Sequence, residues 1–397
     1  MRAGARPPVR RAGPGTTTRV ADGRGRPAGQ LLEVTYLPGL RDVVADEITE
    51  VLAPARPPHG VPGRDDALLV EHTGRLERAL ALRTAVAVFV VLTFDVPRPK
   101  SLTSGEHQPR IAAAMVASAR LGGARTFRFE AAGHDSTVFQ RLAAALATAT
   151  GLRHDDTDGE IVVRFRRTPT RAADRPAERG TARSADRSAD RALADAPGWD
   201  VLVRLGGRPL SARAWRVADF PGAVNATIAA ATCRLAGIDP TDRVVNLMCG
   251  SGTLLVERLL AADAGLALGV DLAADAVAAT RANLAAAGLT DRAEVLGGDV
   301  RDAAATWRAH APFDLLLADP PWGTLHGNHA TNAALHADLL RVAHEVAAPH
   351  ARLVVLTHEI KVMERCLRQA DGWWHLRAEV SVFAKGHHPR IYLLDRA

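Results

Sequence analysis

The amino-acid sequence predicts an α/β protein whose C-terminal half is a doubly wound, mostly parallel sheet of seven strands. From about Arg216, short apolar segments alternate with amphipathic ones, which is typical of strands and helices that follow one another along the chain. A glycine-rich loop follows the first of these strands. The last two apolar runs, residues 374–383 and 390–394, predict a closing antiparallel hairpin.

Two smaller α+β units are predicted to precede this sheet. Residues 1–29 are rich in Arg, Gly and Pro and bury too little apolar surface to offset ordering entropy, so they predict a disordered tail. The first unit, 30–98, has strands at 31–37, 67–70 and 85–96 and helices at 40–52 and 74–82. The second, 99–215, has helices at 109–121 and 137–149 and strands at 126–130, 160–165 and 200–205.

The segment 168–196 interrupts the second unit. It is rich in Ala, Arg, Asp and Ser, its charges alternate in sign, and it has no aromatic residue. This composition predicts a flexible insertion at the tip of a hairpin, with a short charged helix as the alternative.

Composition excludes some classes of protein. The chain has 397 residues, of which 47% are apolar, and no apolar run reaches the roughly 18–20 residues of a membrane helix. The cysteines Cys233, Cys249 and Cys366 fit neither a disulfide framework nor a zinc site, so a cytoplasmic location is expected. The net charge of +6 is compatible with a nucleic-acid partner, but arginine is used throughout the chain, so basicity alone does not decide.

The first candidate site is the loop between Asn246 and Thr253, which follows a strand and opens a helix. Its Gly250 and Gly252 allow a sharp turn and a close approach to a ligand, and a helix N-terminus offers free N–H groups. About twenty residues later, Asp271 ends the next strand, where a carboxylate can accept the hydroxyls of a ribose. Capping of the following helix is the alternative for Asp271. The pattern fits a dinucleotide or S-adenosylmethionine.

The second candidate site, Asp319-Pro320-Pro321-Trp322, favours S-adenosylmethionine. It follows the apolar strand 315–318 at the edge of the sheet where ligands bind. The carboxylate of Asp319 and the carbonyl of Pro320 can accept the two hydrogens of an amino group. Trp322 offers a face on which an extruded base can stack. A turn with an aromatic core residue is the alternative.

These motifs resemble those of the class I amino-methyltransferases, and more closely those of the THUMP-domain RNA guanine-N2 methyltransferases. The similar segments are LPGLRDV (37–43), PLSARAWR (209–216), PGAV (221–224), MCGSGT (248–253) and DPPWG (319–323), and residues 126–205 resemble a THUMP domain. The resemblance implies a ferredoxin-like region at 30–98, a THUMP domain at 99–215 and a Rossmann-like class I methyltransferase domain at 216–397.

The resemblance also implies the chemistry. S-adenosyl-L-methionine is the expected cofactor, with RNA, most plausibly tRNA, as the partner and an exocyclic amine as the methyl acceptor. No metal is needed for direct displacement. The expected catalytic residues are those of the motif at 319–322, and the expected cofactor-binding residues are Pro221, Asn246, Cys249, Gly250, Ser251, Gly252, Thr253, Asp271 and Asp299. Asp299 has turn capping as its alternative.

Two departures from the family pattern matter. Asn246-Leu247 stands where Asp-Pro is usual, and Trp322 replaces the commoner Tyr. The first places an amide where a carboxylate is expected near the amino-acid end of the cofactor. Asn246 makes an RNA-binding protein whose methyltransferase site has decayed one alternative. Methylation of ribosomal guanine, of adenine in DNA or of a protein glutamine is the other, because the motif at 319–322 alone does not separate these amines, and the N-terminal resemblance favours RNA.

Overall fold

The structure is a computed structural model that describes residues 29–168, 198–302, 307–321, 329–370, 372–384, 386 and 388–397, with the side chains of 329–331 excepted. The predicted tail, up to residue 28, and the predicted insertion, from residue 169, lie outside the described residues. So does Trp322. Among the described helices, none combines the length and the apolar character needed to cross a membrane.

The N-terminal half forms one sheet of eight strands in the order β2-β3-β1-β4-β8-β7-β5-β6. Its elements are β1 (Gln30–Thr35), α1 (Arg41–Leu52), β2 (His59–Gly60), β3 (Ala67–His72), β4 (Ala87–Phe94), α2 (His107–Gly122), β5 (Thr126–Glu130), α3 (Thr137–Thr150), β6 (Arg153–His154), β7 (Ile161–Arg167) and β8 (Trp199–Arg204). The antiparallel pairing of β4 with β8 joins the two predicted α+β units into one sheet. The segment predicted as a helix at 74–82 contains a 3₁₀ helix, Leu76–Ala81.

The C-terminal half forms a seven-stranded sheet in the order β11-β10-β9-β12-β13-β15-β14. Its elements are α4 (Ala226–Ala236), β9 (Arg243–Leu247), α5 (Thr253–Ala261), β10 (Leu266–Asp271), α6 (Ala274–Ala286), β11 (Glu294–Gly297), β12 (Phe313–Ala318), α7 (His329–Val346), β13 (Ala347–Thr357), α8 (Ile360–Gln369), β14 (Trp374–Ser381) and β15 (Arg390–Arg396). Five strands are parallel, and β15 pairs antiparallel with both β13 and β14. The predicted doubly wound sheet and its closing hairpin are confirmed.

The two sheets share a hydrophobic core. Leu32 and Ile48 of the N-terminal half belong to the same buried cluster as Ile228, Leu315 and Val354 of the C-terminal half. Helix α1 packs against α4 at this boundary. Because one continuous core is dehydrated on folding, we expect the two halves to hold a fixed relation to each other.

A tight turn adds a second contact between the halves. Gly39 adopts a φ of 97°, and a Cβ placed there would lie 1.9 Å from the carbonyl oxygen of Ser381 at the end of β14. The N–H of Phe383 donates to the carbonyl of Pro38 at 3.0 Å. Only glycine allows this approach, because any side chain would push the turn away from the β14–β15 hairpin.

A buried ion cluster provides the third contact. The Glu257 carboxylate on α5 is fully buried and accepts from Nε of Arg213 at 2.8 Å and from Nε of Arg83 at 2.9 Å. Arg83 lies just before β4 in the N-terminal sheet, and its carbonyl accepts from the Arg213 guanidinium at 2.5 Å. Both carboxylate oxygens are therefore paired with cations, as a buried charge requires.

Substitution Glu257→Gln should lower the free energy of unfolding by about 3–5 kcal/mol, because it leaves two guanidinium groups without their counter-charge in a buried place. The matched control is Glu345→Gln, which removes a partly exposed carboxylate paired with Arg341 at 2.7 Å. This control should cost no more than about 1 kcal/mol. Urea denaturation measures both values, and equal losses would contradict the proposed importance of the buried cluster.

Candidate active site

The glycine-rich loop makes three unusual backbone turns between β9 and α5. Met248, Gly250 and Gly252 have φ values of 50°, 54° and 75°. At Gly252, an added Cβ would lie 2.6 Å from Cγ2 of Thr280 on α6, so this position has no space for a side chain. The loop thereby brings the N-terminus of α5 to the carboxyl edge of the sheet, where its free N–H groups can meet a ligand.

Helix α6 holds this loop from behind. The Thr280 hydroxyl donates to the carbonyl of Gly250 at 2.7 Å, and Nδ2 of the fully buried Asn283 donates to the carbonyl of Ser251 at 2.9 Å. Oδ1 of Asn283 accepts from the N–H groups of Val217 and Ala218. The sequence analysis missed both residues. The feature of the sequence that could have identified them is a pair of polar side chains three positions apart, which lie on the same face of a helix.

Asp271 at the end of β10 also shapes the loop. Its carboxylate accepts from the N–H of Gly250 at 2.8 Å and from the N–H of Ala273 at 3.0 Å. Ala273 is the N-cap residue of α6, so Asp271 does not cap this helix and instead fixes the turn between β10 and α6. Each carboxylate oxygen has a further lone pair, so Asp271 can still accept from ligand hydroxyls.

A cavity of about 540 Å³, here called the loop cavity, opens in front of these residues. Every predicted cofactor residue except Gly252 lines it, together with Asp319, Pro320 and Pro321. The volume lies within the range usual for small-molecule and cofactor sites. Gly252 does not line the cavity; its backbone turn contributes to the shape of the loop that does.

Asn246 carries an unsatisfied acceptor at this cavity. The side chain is buried in β9, and its Nδ2 donates to the carbonyl of Leu317 at 3.2 Å. Its Oδ1 is buried and accepts from no donor in the described part of the chain. Because buried polar atoms are normally paired, this oxygen fits a ligand that brings a donor, such as an ammonium group.

The pKa values of two other predicted residues, Asp299 and Cys249, are shifted by their surroundings. Asp299 accepts from the N–H of Arg301 at 2.9 Å and from its guanidinium at 2.6 Å, and this guanidinium lowers the pKa of the carboxyl. Asp299 thus caps a turn and also lines the loop cavity. Burial raises the pKa of the Cys249 thiol to about 12, which keeps it neutral and unsuited to act as a nucleophile.

A second cavity of about 620 Å³ lies on the other side of Asp319 and is here called the outer cavity. Segment 220–224 and Asp319 line both cavities and form the wall between them. The rest of the outer cavity is lined by Arg216, Asp219, Asn225, Ile228, Leu356, His358, Ala384 and Pro389. Sequence analysis did not find this cavity, because its walls come from four distant parts of the chain.

Asp319 is the ionisable group at this junction. It follows Ala318, the last residue of β12, and burial raises the pKa of its carboxyl to about 8. No donor reaches its oxygens within the described ranges. A desolvated carboxyl between two cavities has the properties of a group that waits for hydrogen-bond donors on a substrate.

Comparison with known proteins agrees with this geometry. Residues 213–390 match the UPF0020 family, described as RMKL-like, methyltransferase domain. The C-terminal half of the chain is therefore similar to the methyltransferase domain of this family. The confirmed sheet order and the position of the loop agree with a Rossmann-like fold of this class.

Curated relatives and solved structures are also similar to this chain. The tRNA (guanine(6)-N2)-methyltransferase of Thermus thermophilus is 30% identical over 196 residues, 49% of this chain and 56% of that protein. The tRNA (guanine(10)-N2)-dimethyltransferase of Methanothermobacter thermautotrophicus is 30% identical over 145 residues, 33% of this chain and 40% of that protein. The matches thus span about half the length of these relatives.

Among solved structures, TrmN from Thermus thermophilus has a TM-score of 0.65 and 26% identity, covering 93% of this chain and 100% of that chain. The structure of SMU.472 complexed with SAH has a TM-score of 0.61 and 14% identity, covering 92% of this chain and 98% of that chain. The second likeness concerns the fold alone.

Substitution Asp271→Ala should weaken binding of S-adenosylmethionine about tenfold or more, because it removes a ligand acceptor and also releases the N–H of Gly250. The control is Asp275→Ala, an exposed carboxylate in the first turn of α6. Isothermal titration calorimetry measures both affinities. Wild-type affinity in the Asp271 variant would remove this residue from the site.

Substitution Asp319→Asn should stabilise the protein, and more at pH 8 than at pH 5. The folded protein keeps a proton on Asp319 up to a pH of about 8, whereas the unfolded chain releases it near the model value of 3.8. Stability therefore falls as the pH rises between these values, and an amide does not ionise. Melting temperatures measure the effect, with Asp275→Asn as the exposed control. A pH-independent difference would contradict the raised pKa.

Proposed function

We propose that this protein is an S-adenosylmethionine-dependent RNA methyltransferase that modifies an exocyclic base amine, with N2 of guanine in tRNA as the target. The observation that carries the proposal is the place of Asp319, whose carboxyl lies in the wall between the loop cavity and the outer cavity. A transfer enzyme needs two adjoining sites with an acceptor group at their junction. The named activities of the similar tRNA methyltransferases support the same substrate class.

The loop cavity fits S-adenosylmethionine through three separate features. Oδ1 of Asn246 accepts from no donor among the described residues and suits the ammonium of an amino acid. Asp271 suits ribose hydroxyls, and Asp299 suits the adenine amine at the same wall. The amide at Asn246 supplies the acceptor without the charge of the aspartate usual at this position. S-adenosylmethionine, when bound, supplies the methyl group.

The residues of the motif orient the methyl acceptor. Asp319 and the carbonyl of Pro320 accept the two hydrogens of the amine, which directs its lone pair away from them, and Trp322 stacks on the base. The amine lone pair forms the new N–C bond while the electrons of the S–C bond stay on sulfur. The hydrogen-bond donors of the amine favour the ionised form of Asp319, whose carboxyl otherwise keeps its proton up to a pH of about 8. The nitrogen then loses one proton, and the ionised Asp319 is a better proton acceptor than an exposed aspartate because its pKa is raised.

We assign RNA binding mainly to residues 30–215, as a ferredoxin-like region at 30–98 and a THUMP domain at 99–215. The likeness to TrmN extends over 93% of this chain and therefore includes this half. The basic character of the protein favours a polyanion. The shared core and the Glu257 cluster hold this half in a fixed place beside the methyltransferase domain at 216–397.

The proposed function is tested with tRNA from a strain that lacks the gene, incubated with methyl-deuterated S-adenosylmethionine and analysed by nucleoside mass spectrometry. We expect labelled N2-methylguanosine. Labelled N6-methyladenosine would favour adenine instead, a target named for a relative that is 24% identical, an rRNA N(6)-adenosine-methyltransferase of Caenorhabditis elegans. Absence of label in any RNA nucleoside would contradict the proposal.

The variant Asp319→Ala should abolish methyl transfer and leave cofactor affinity within a few-fold of the wild type, because the glycine-rich loop follows a different strand. Asp319→Asn keeps the size and one acceptor oxygen, and should lose about 2–4 kcal/mol of transition-state stabilisation if the charge contributes. Single-turnover rates and calorimetry separate the two effects. Near wild-type turnover of Asp319→Ala would remove Asp319 from the catalytic group.

A further inference from the structure

Four residues form a closed ring of hydrogen bonds, through side chains and backbone groups, at the carboxyl edge of the C-terminal sheet. Nδ1 of His336 lies 2.8 Å from the carbonyl of Asn332, and Nε2 lies 3.2 Å from Oγ1 of Thr357. Oγ1 of Thr357 accepts from the N–H of Glu359 at 3.0 Å, and Nδ2 of Asn332 donates to Oε1 of Glu359 at 3.3 Å. We call these four residues the α7–β13 clasp.

The hydrogen positions in the clasp follow from the partners. The carbonyl of Asn332 only accepts, so Nδ1 of His336 carries the hydrogen and Nε2 presents a lone pair. The Thr357 hydroxyl therefore donates to Nε2 while it accepts from the Glu359 N–H. The ring is fully satisfied with a neutral imidazole, and burial of His336 lowers its pKa in agreement.

The clasp lies next to both cavities of the candidate active site. Asn332 lines the loop cavity, and His358, which stands between Thr357 and Glu359, lines the outer cavity. Its two sides belong to neighbouring parts of the sheet. Helix α7 is the next helix after β12 and its Asp319, whereas Thr357 ends β13, which pairs with β12 up to Ala318↔Val355.

We propose that the α7–β13 clasp is a positioning device for methyl transfer. It fixes the position of the outer cavity relative to the loop cavity, with Asp319 at their shared wall. This inference rests on the proposed function and adds residues that touch neither the cofactor sulfur nor the target amine. His336 and Thr357 are its centre, because they are buried and connect the helix to the strand.

The physical reason is the narrow tolerance of an in-line displacement. The acceptor nitrogen and the methyl carbon react only when they approach closely and in line, so a shift of about 1 Å between two binding sites can reduce the rate by up to about a hundredfold. Packing of α7 on β13 alone leaves sliding of one element along the other uncontrolled. Directional hydrogen bonds at the edge where Asp319 emerges remove this freedom.

The test uses Thr357→Val, which keeps the shape and removes the hydroxyl, and Thr357→Ser, which keeps the hydroxyl. Single-turnover rates are measured with tRNA from the gene-deleted strain and saturating tritiated S-adenosylmethionine. We expect Thr357→Val to lower the rate about tenfold or more with cofactor affinity within about twofold, and Thr357→Ser to restore most of the rate. Glu359→Ala, which removes the bond to Asn332 from a partly exposed position, should give an intermediate loss.

The control for stability is Asp242→Asn just before β9, at the end of that strand opposite the glycine-rich loop, which removes the charge of a buried carboxylate paired with Arg258 and Arg352. This variant should lower the melting temperature and leave the single-turnover rate unchanged. A wild-type rate in Thr357→Val, or an equal loss in Thr357→Ser, overturns the positioning role of the clasp. Absence of transfer by the wild-type protein overturns the proposed function instead.

Discussion

The buried carboxylate of Glu257 is the interaction on which the arrangement of the two halves depends. It lies on α5, the helix that the glycine-rich loop opens, and it is paired with Arg83 beside the N-terminal sheet and with Arg213 in the connection. Breaking either ion pair would leave a buried charge without its partner, which costs free energy, so both ion pairs stay formed. The glycine-rich loop, which lines the loop cavity, is thus connected to the N-terminal half through one helix and one carboxylate.

The glycine-rich loop is also held in place by a small number of side chains. Asp271 and Thr280 fix the N–H and the carbonyl of Gly250, and Asn283 fixes the carbonyl of Ser251. Asn283 also accepts from the chain that leads into segment 220–224, the wall between the two cavities. A ligand therefore meets a backbone that is already in place, which reduces the ordering entropy lost on binding.

The sequence predicted the parts of this site that depend on local pattern. The glycine turns, Asp271 and Asp319 follow strands directly, so strand periodicity and turn residues were sufficient to locate them. Thr280, Asn283, His336 and the outer cavity escaped because their roles depend on neighbours far away in the chain. The pairing of β4 with β8 escaped for the same reason, since each strand has the same apolar pattern whichever partner it has.

The close contact between Gly39 and Ser381 has a consequence for biosynthesis. The turn after β1 is synthesised long before its partner in the β14–β15 hairpin, because almost all of the described chain lies between them. Residues of β1 and β15 also share one dehydrated core. During synthesis, the N-terminal sheet therefore keeps an apolar face exposed to water until the C-terminal half has been synthesised. Contacts between such distant parts of a chain slow folding in general, and apolar surface that stays exposed until they form favours aggregation.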